Sequence, residues 1–233
     1  MISQESKFEL IDRGFDRKIL LIPGWAVDYR VFGGLELGYN YLLPTELNPL
    51  DFESALSGAL EKENTGKISL LGWSMGGFLA SDFASKNPDK VDELILAGIR
   101  RKYSPELLNE VKRLVTQNKR AFLYKLYLNS FSETDQEGLK WFREHLLDIY
   151  VNELDLDVLL SGLDYLSKAE INPASLGKIK KIKIIHGEED KIASLDEALK
   201  VKSELPQAEF IALRKMGHFL FLNRQFTKSL SNE

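Results

Sequence analysis

The sequence predicts an α/β fold: a mostly parallel sheet flanked by helices, with a helical lid inserted between two strands. Three observations predict it. Five short apolar runs recur along the 233 residues with little internal polarity, as strands buried on both faces of a parallel sheet do. Helical periodicities separate most of these runs, and strand–helix alternation implies a parallel sheet. One long stretch, 100–174, carries helical periodicity without a convincing strand.

The elements follow in order. FELID (8–12) is a weaker strand candidate, KILLIPGW (18–25) a strong one and YNYLL (39–43) again a weaker one. FESALSGALEKE (52–63) reads as a helix behind Asp51 as N-cap. KISLLGWS (67–74) is the next strand, and GGFLASDFASKNP (76–88) a helix stopped by Asn87-Pro88. VDELILAGI (91–99) closes the first part of the sheet. The insertion holds four helical patterns, PELLNEVKRLV, RAFLYKLYLNSF, GLKWFREHLLDIY and LDVLLSGLDYL. The strands then resume with KIKIIHG (181–187) and AEFIAL (208–213). Between these two, SLDEALKVKSELP (194–206) starts on Ser194 with Glu197 three residues later, a capping-box pattern. The expected organisation is a core of 1–99 and 175–233 and a lid of 100–174.

Composition narrows the function classes. The chain is 44% apolar and 28% charged with a formal net charge of −4, an acidic balance that argues against a nucleic-acid partner. The amino terminus, MISQESKFELIDRG, is polar, and no apolar run reaches the length of a membrane span. No signal peptide, membrane association or export is expected, and the cytoplasm is the expected location. There is no cysteine, which excludes disulfides and thiol nucleophiles. The histidines are His145, His186 and His218, too far apart in sequence for a helical metal pair. No metal and no cofactor is expected.

The chemistry gathers around Gly72-Trp73-Ser74-Met75-Gly76, a G-x-S-x-G pattern with an apolar strand before it and a helix after it. A strand-to-helix turn this tight needs small residues two positions either side of the serine, and it lifts Oγ to the carboxyl end of the sheet. A serine needs a base, and the base an orienting acid, here in the order serine, acid, histidine. His145 lies among charges in the insertion and His186 reads as strand-end packing. His218, in RKMGHFLFL, leaves a carboxylate loop upstream, Glu188-Glu189-Asp190, with Asp190 preferred as the acid and Glu188 or Glu189 as substitutes. The oxyanion needs two donors. The Met75 amide is one, and the Trp25 amide in LIPGWAVD, beside the permissive Gly24, is the other.

LLGWSMGG, the helical insertion, GLDYLSKAEIN, HGEEDKIAS and MGHFLF together resemble the pimeloyl-acyl-carrier-protein methyl ester carboxylesterases of biotin synthesis, a family of the α/β-hydrolase fold. The resemblance runs from Lys18 to about Leu222. It implies an acyl-enzyme on Ser74, His218 as general base and then acid, Asp190 holding the imidazole, and Trp25 and Met75 as oxyanion hole. It also implies that lid residues Phe122, Leu123, Tyr124, Lys125 and Leu126 bind the acyl chain along with Trp25, Met75 and His218. The family's lid recognises an acidic acyl carrier protein. Its arginines do not fall on arginines here, but Lys112, Arg113, Lys119 and Arg120 lie nearby. Residues 100–125 carry eight basic side chains against Glu106 and Glu110, whereas 131–170 carry ten acidic against three basic. Pro23-Gly24 stands where the family has His-Gly, and PTELNPLDF replaces its glycine-rich acidic loop. Two other readings use the same residues: hydrolysis of another small ester, lactone or thioester, and a hydrolase-fold protein that binds a small ligand without turnover.

Overall fold

A computed structural model describes residues 5–230; the first four residues of the polar amino terminus lie outside it. Seven strands form one sheet: β1 (Lys7–Ile11), β2 (Lys18–Ile22), β3 (Asn40–Glu46), β4 (Ile68–Trp73), β5 (Val91–Ala97), β6 (Ile182–Gly187) and β7 (Glu209–Leu213). Their order is β1-β3-β2-β4-β5-β6-β7. β1 pairs antiparallel with β3, and the pairings from β3 through β7 are parallel. Both weaker strand candidates are therefore real, and they form one margin of the sheet. Their residues are less buried than those of β2 and β4, which is why their apolar signal is diluted.

The strand order places the site. From β2 the chain steps out to β3, then returns across β2 to β4 and proceeds the other way. The carboxyl ends of β2 and β4 thus flank a topological switch point, where crossovers diverge and leave a crevice. The register Ile22↔Gly72, Gly72↔Leu96 and Leu96↔Ile184 aligns the ends of β2, β4, β5 and β6 at one edge. The loops that follow these strands carry Gly24, Ser74, Gly98 and Asp190.

Helices α1 (Phe52–Lys62), α2 (Met75–Lys86), α8 (Leu195–Ser203) and α9 (Arg224–Leu230) flank the sheet. Two caps differ from expectation. Asp51 makes no side-chain cap bond; its carboxylate instead accepts from the amide and hydroxyl of Ser6. Ser194 is the N-cap of α8 but makes no side-chain cap bond either, and Glu197 turns outward to Lys200 and Arg100. At Asp51 the neutral donors of Ser6 take the carboxylate from the local amide, and at Glu197 the cations Lys200 and Arg100 do.

Between β5 and β6 lie α3 (Pro105–Gln117), α4 (Lys119–Asn129), α5 (Gln136–His145), α6 (Leu147–Glu153) and α7 (Leu156–Leu166). The pattern GLKWFREHLLDIY spans two helices rather than one, broken at Leu146 with φ −127°. No glycine or proline announces that break. It follows from packing: Phe142 of α5 and Tyr150 of α6 both close on the Tyr127 ring of α4, at 5.2 and 6.0 Å. A short bridge between Lys102 and Glu170 ties the two ends of the insertion together. Among the described residues, no helix is long and apolar enough to cross a membrane.

Candidate active site

β4 ends at Trp73 and α2 starts at Met75, so Ser74 alone makes the reversal, with φ +54° and ψ −115°. A side-chain-bearing residue with positive φ costs on the order of 1–3 kcal/mol and persists where its surroundings hold it. The two glycines supply that hold. A Cβ on Gly72 would lie 2.4 Å from the Gly76 carbonyl oxygen, and one on Gly76 would lie 2.2 Å from the Ile22 carbonyl oxygen. The elbow is therefore clamped against the end of β2. Gly76→Ala has a rigid backbone atom to displace, and it is expected to destabilise the fold by about 1–3 kcal/mol. A lowered urea midpoint at unchanged m-value is the corresponding readout.

The loop after β2 closes on the serine from one side. A Cβ on Gly24 would stand 3.1 Å from Ser74 Cβ and 3.0 Å from the Trp73 ring. Gly24 thus lets the Trp25 segment approach to van der Waals distance of Ser74. The insertion pins that segment from above. Trp25 Nε1 donates to the Leu159 carbonyl of α7 at 2.9 Å, and the Tyr127 hydroxyl donates to the Ala26 carbonyl at 2.5 Å. The Tyr150 hydroxyl donates to Asp28 Oδ1 at 3.0 Å. Ala26 itself has φ +63°, a conformation held by this external bond. Gly162 of α7 completes the fit, since a Cβ there would lie 2.6 Å from Trp25 Cδ1.

The candidate acid and base come from the loops after β6 and β7. Asp190 and His218 are buried, and His218 Nδ1 lies 2.7 Å from Asp190 Oδ2. Asp190 Oδ1 accepts from the amides of Ile192 and Ala193, each at 2.8 Å. Burial pushes the Asp190 carboxyl up, but the neighbouring His218, its hydrogen bond and His186 together hold it below its ordinary value. An ionised Asp190 fixes the proton of His218 on Nδ1 and leaves Nε2 with a lone pair. It is Asp190, rather than the exposed Glu188 or Glu189, that faces the imidazole. His218 meets the nucleophile elbow through Trp73: the rings are 5.1 Å apart, and Trp73 Nε1 donates to the His218 carbonyl at 2.9 Å.

Several contributors were not apparent in the sequence. The turn after α4 holds the histidine loop, with the Ser130 carbonyl accepting from the amides of His218 and Phe219 at 2.6 and 3.2 Å. Gly217 and Gly187 permit this, because a Cβ on either would strike backbone at 2.5 and 2.3 Å. Tyr103, in the loop after β5, stands beside Ser74 under the Arg100 guanidinium, whose Cζ is 4.6 Å from the ring centre. Burial raises the Tyr103 phenol, partly opposed by Arg100 and by hydrogen bonding with Ser74. No local pattern marks a lone tyrosine in a loop, so only the fold reveals it.

A cleft of about 1100 Å³ opens beside Trp25 and Met75. Its walls are α7, with Val158, Leu159 and Leu160, and the β3–α1 loop, with Leu47 and Leu50. The other lid residues named from the sequence lie elsewhere. Phe122 packs edge-on against Trp25 at 6.2 Å, Leu123 is buried, Leu126 is half-buried, and Tyr124 and Lys125 are exposed. None of these five lines the cleft. The basic candidates have intramolecular partners. Lys112 pairs with Asp164, and Arg113 with Glu110 at 2.7 Å. Lys119 donates to the Leu154 carbonyl at 2.5 Å and Arg120 to Asn152 Oδ1. His145 stacks on Trp141 at 4.7 Å on an exposed helix end, away from these groups.

A family model described as alpha/beta hydrolase fold matches residues 50–225. A pimeloyl-[acyl-carrier protein] methyl ester esterase of Nitrosomonas europaea is 24% identical, with 88% of this chain and 90% of that protein covered. A 2-hydroxy-6-oxo-6-phenylhexa-2,4-dienoate hydrolase of Burkholderia cepacia is 26% identical over 84% of this chain and 77% of that protein. Among solved structures, an esterase from Exiguobacterium antarcticum superposes with a TM-score of 0.80 at 19% identity, over 97% of this chain and 94% of the other. The family resemblance carried by the motifs and the similarity of whole chains thus agree.

Proposed function

The chain belongs to the α/β-hydrolase fold family, and from that membership we propose that it is a serine carboxylic ester hydrolase working through an acyl-enzyme on Ser74. The observation that carries this reading is the buried 2.7 Å bond from His218 Nδ1 to Asp190 Oδ2, set against a serine on a left-handed turn. Ser74 Oγ attacks the acyl carbon while its proton passes to His218 Nε2. The carbonyl oxygen takes up negative charge, which the amides of Trp25 and Met75 stabilise. The alcohol leaves with the proton from His218. Water then attacks the acyl-enzyme by the same route, and the carboxylic acid is released. A binding protein without turnover has no need of an orienting carboxylate behind the histidine, so the catalytic reading is favoured.

The cleft favours an ester with an apolar acyl or alcohol group of moderate length. Its volume of about 1100 Å³ exceeds what a short ester fills, and Val27, Leu47, Phe78, Leu159 and Leu160 line it. A second reading, a carrier-linked methyl ester, is favoured by the coverage of the Nitrosomonas europaea relative. Against it stand the intramolecular partners of Lys112, Arg113, Lys119 and Arg120. Asp155 and Asp157 also line the mouth of the cleft, where an acidic carrier would meet repulsion.

Kinetics on a medium-chain aryl ester and on methyl pimeloyl-carrier protein, compared in Arg113→Glu and Arg120→Glu variants, separate the two readings. The free ester is expected to be the better substrate and indifferent to both reversals. A preference for the carrier-linked ester by orders of magnitude, lost on charge reversal and weakened at high salt, overturns that order. Failure of the parent protein to hydrolyse either ester removes the esterase reading altogether.

A further inference from the structure

His186 is the penultimate residue of β6, at 0% exposure, with Gly187 between it and the loop that carries Asp190. Its Nε2 lies 2.7 Å from the Ala193 carbonyl oxygen and 3.5 Å from Asp190 Oδ2. A carbonyl only accepts, so Nε2 carries the proton, and the lone pair resides on Nδ1. Nδ1 is buried with no hydrogen-bond partner among the described residues, an arrangement whose desolvation costs on the order of 1–3 kcal/mol. Valine or leucine would fill the same strand end without that penalty. A packing role therefore does not account for this imidazole, whereas its N–H does: it holds the carbonyl of Ala193, whose own amide binds Asp190 Oδ1, and Nε2 stands 3.5 Å from Asp190 Oδ2.

Resting on the triad reading above, we propose that His186 is a positioning residue for Asp190, acting through a neutral imidazole whose Nε2–H donates to the Ala193 carbonyl and stands 3.5 Å from Asp190 Oδ2. Four groups then surround the carboxylate. The amides of Ile192 and Ala193 hold Oδ1 at 2.8 Å, while His218 and His186 approach Oδ2 at 2.7 and 3.5 Å. The Ala193 residue joins two of these tethers, since its amide binds Asp190 and its carbonyl binds His186. The turn is thereby closed on itself around the acid, and the carboxylate plane is set for His218. Burial pushes the His186 imidazole below its ordinary value, opposed by Asp190 and the Ala193 hydrogen bond, and His218 adds to the lowering. Asp190 and His218 are the ionisable groups that act on it. A neutral N–H dipole 3.5 Å from Oδ2 trims the charge that Asp190 presents to His218 without adding a cation beside it.

The test compares His186→Gln, His186→Asn and His186→Leu in the full chain, using a p-nitrophenyl ester. Gln places an amide N–H where Nε2 stands, Asn places one where Nδ1 stands, and Leu supplies neither. The Gln variant is expected to keep kcat within about 3-fold of the parent. Asn and Leu are expected to lose about 10-fold in kcat at little-changed KM. In both, the acidic limb of the kcat/KM profile is expected to move up by roughly half a pH unit, because the less tempered carboxylate holds the imidazolium more strongly. If Leu does not fold, the contrast of Gln with Asn carries the same information. Parental kcat and limb position in Asn overturn the proposal. So does an equal loss in Gln and Asn with the limb unmoved, which marks a purely structural role. Labelling of Ser74 by a fluorophosphonate in the parent checks the triad reading separately. A parent that neither labels nor turns over refutes that reading, and this inference falls with it.

Discussion

Replacing Ser74 with alanine is expected to lower kcat for ester hydrolysis by about 10⁵-fold while leaving the affinity for a bound ester nearly unchanged. The size of the effect follows from the unit behaviour of nucleophile, base and acid: removing the serine forfeits what all three achieve together, and the residual rate comes from binding and the oxyanion donors. Affinity is spared because the cleft beside Trp25 and Met75 is walled by α7 and the β3–α1 loop and not by Ser74. The variant is also expected to fold. Alanine meets the same φ of +54° as serine, and Ser74 makes no side-chain cap bond to α2 that would be lost. Steady-state rates, a binding isotherm and a urea titration of the same preparation decide the matter. A variant that turns over esters at the parent rate removes Ser74 from the chemistry and the proposed function with it.

The second large effect is expected at Asp190→Asn, with kcat lowered by about 10⁴-fold. The reason is directional. The amides of Ile192 and Ala193 both donate to Oδ1, so an asparagine must keep its oxygen there and turn its NH₂ toward His218. A donor facing Nδ1 drives the imidazole proton to Nε2, and the nitrogen needed to accept the serine proton is then occupied. Stability moves with pH in a definite sense. The Asp190 carboxyl is held below its ordinary value in the folded chain, so the unfolded chain binds its proton more readily. Its contribution is present above the unfolded value of about 3.9 and is lost as pH falls through the folded one. The asparagine variant is expected to lose less stability than the parent between pH 5 and pH 3. Matched urea titrations at the two pH values measure this, and an equal loss in both proteins overturns the linkage.

Much of the fold is legible in the sequence because parallel strands and amphipathic helices write themselves locally. KILLI and KISLL are uninterrupted apolar runs because β2 and β4 are covered on both faces. The elbow is legible for a steric reason: Gly72 and Gly76 are demanded by contacts of 2.4 and 2.2 Å within one turn of chain. Chain order alone brought Asp190 and His218 forward as partners. Asp51 and Ser194 do stand at the helix starts that local spacing assigns them, but neither makes a side-chain cap bond: Ser6 takes the Asp51 carboxylate, and Lys200 and Arg100 take Glu197.

The sequence by itself thus determined the sheet, the nucleophile turn and the triad candidates, each of which depends on residues a few positions apart or on the order of strands. Only the tertiary structure decided how the insertion meets the core. Trp25 is bonded to Leu159, Tyr127 to Ala26 and the Ser130 carbonyl to His218 across 134, 101 and 88 positions of chain. Such contacts have no period and no spacing; they are set by which side chains face each other once the helices pack. The same holds for the cleft, whose walls come from α7 and the β3–α1 loop rather than from Phe122–Leu126, and for His186. An isolated histidine at a strand end reads as packing, and only its 2.7 and 3.5 Å neighbours give its N–H a use.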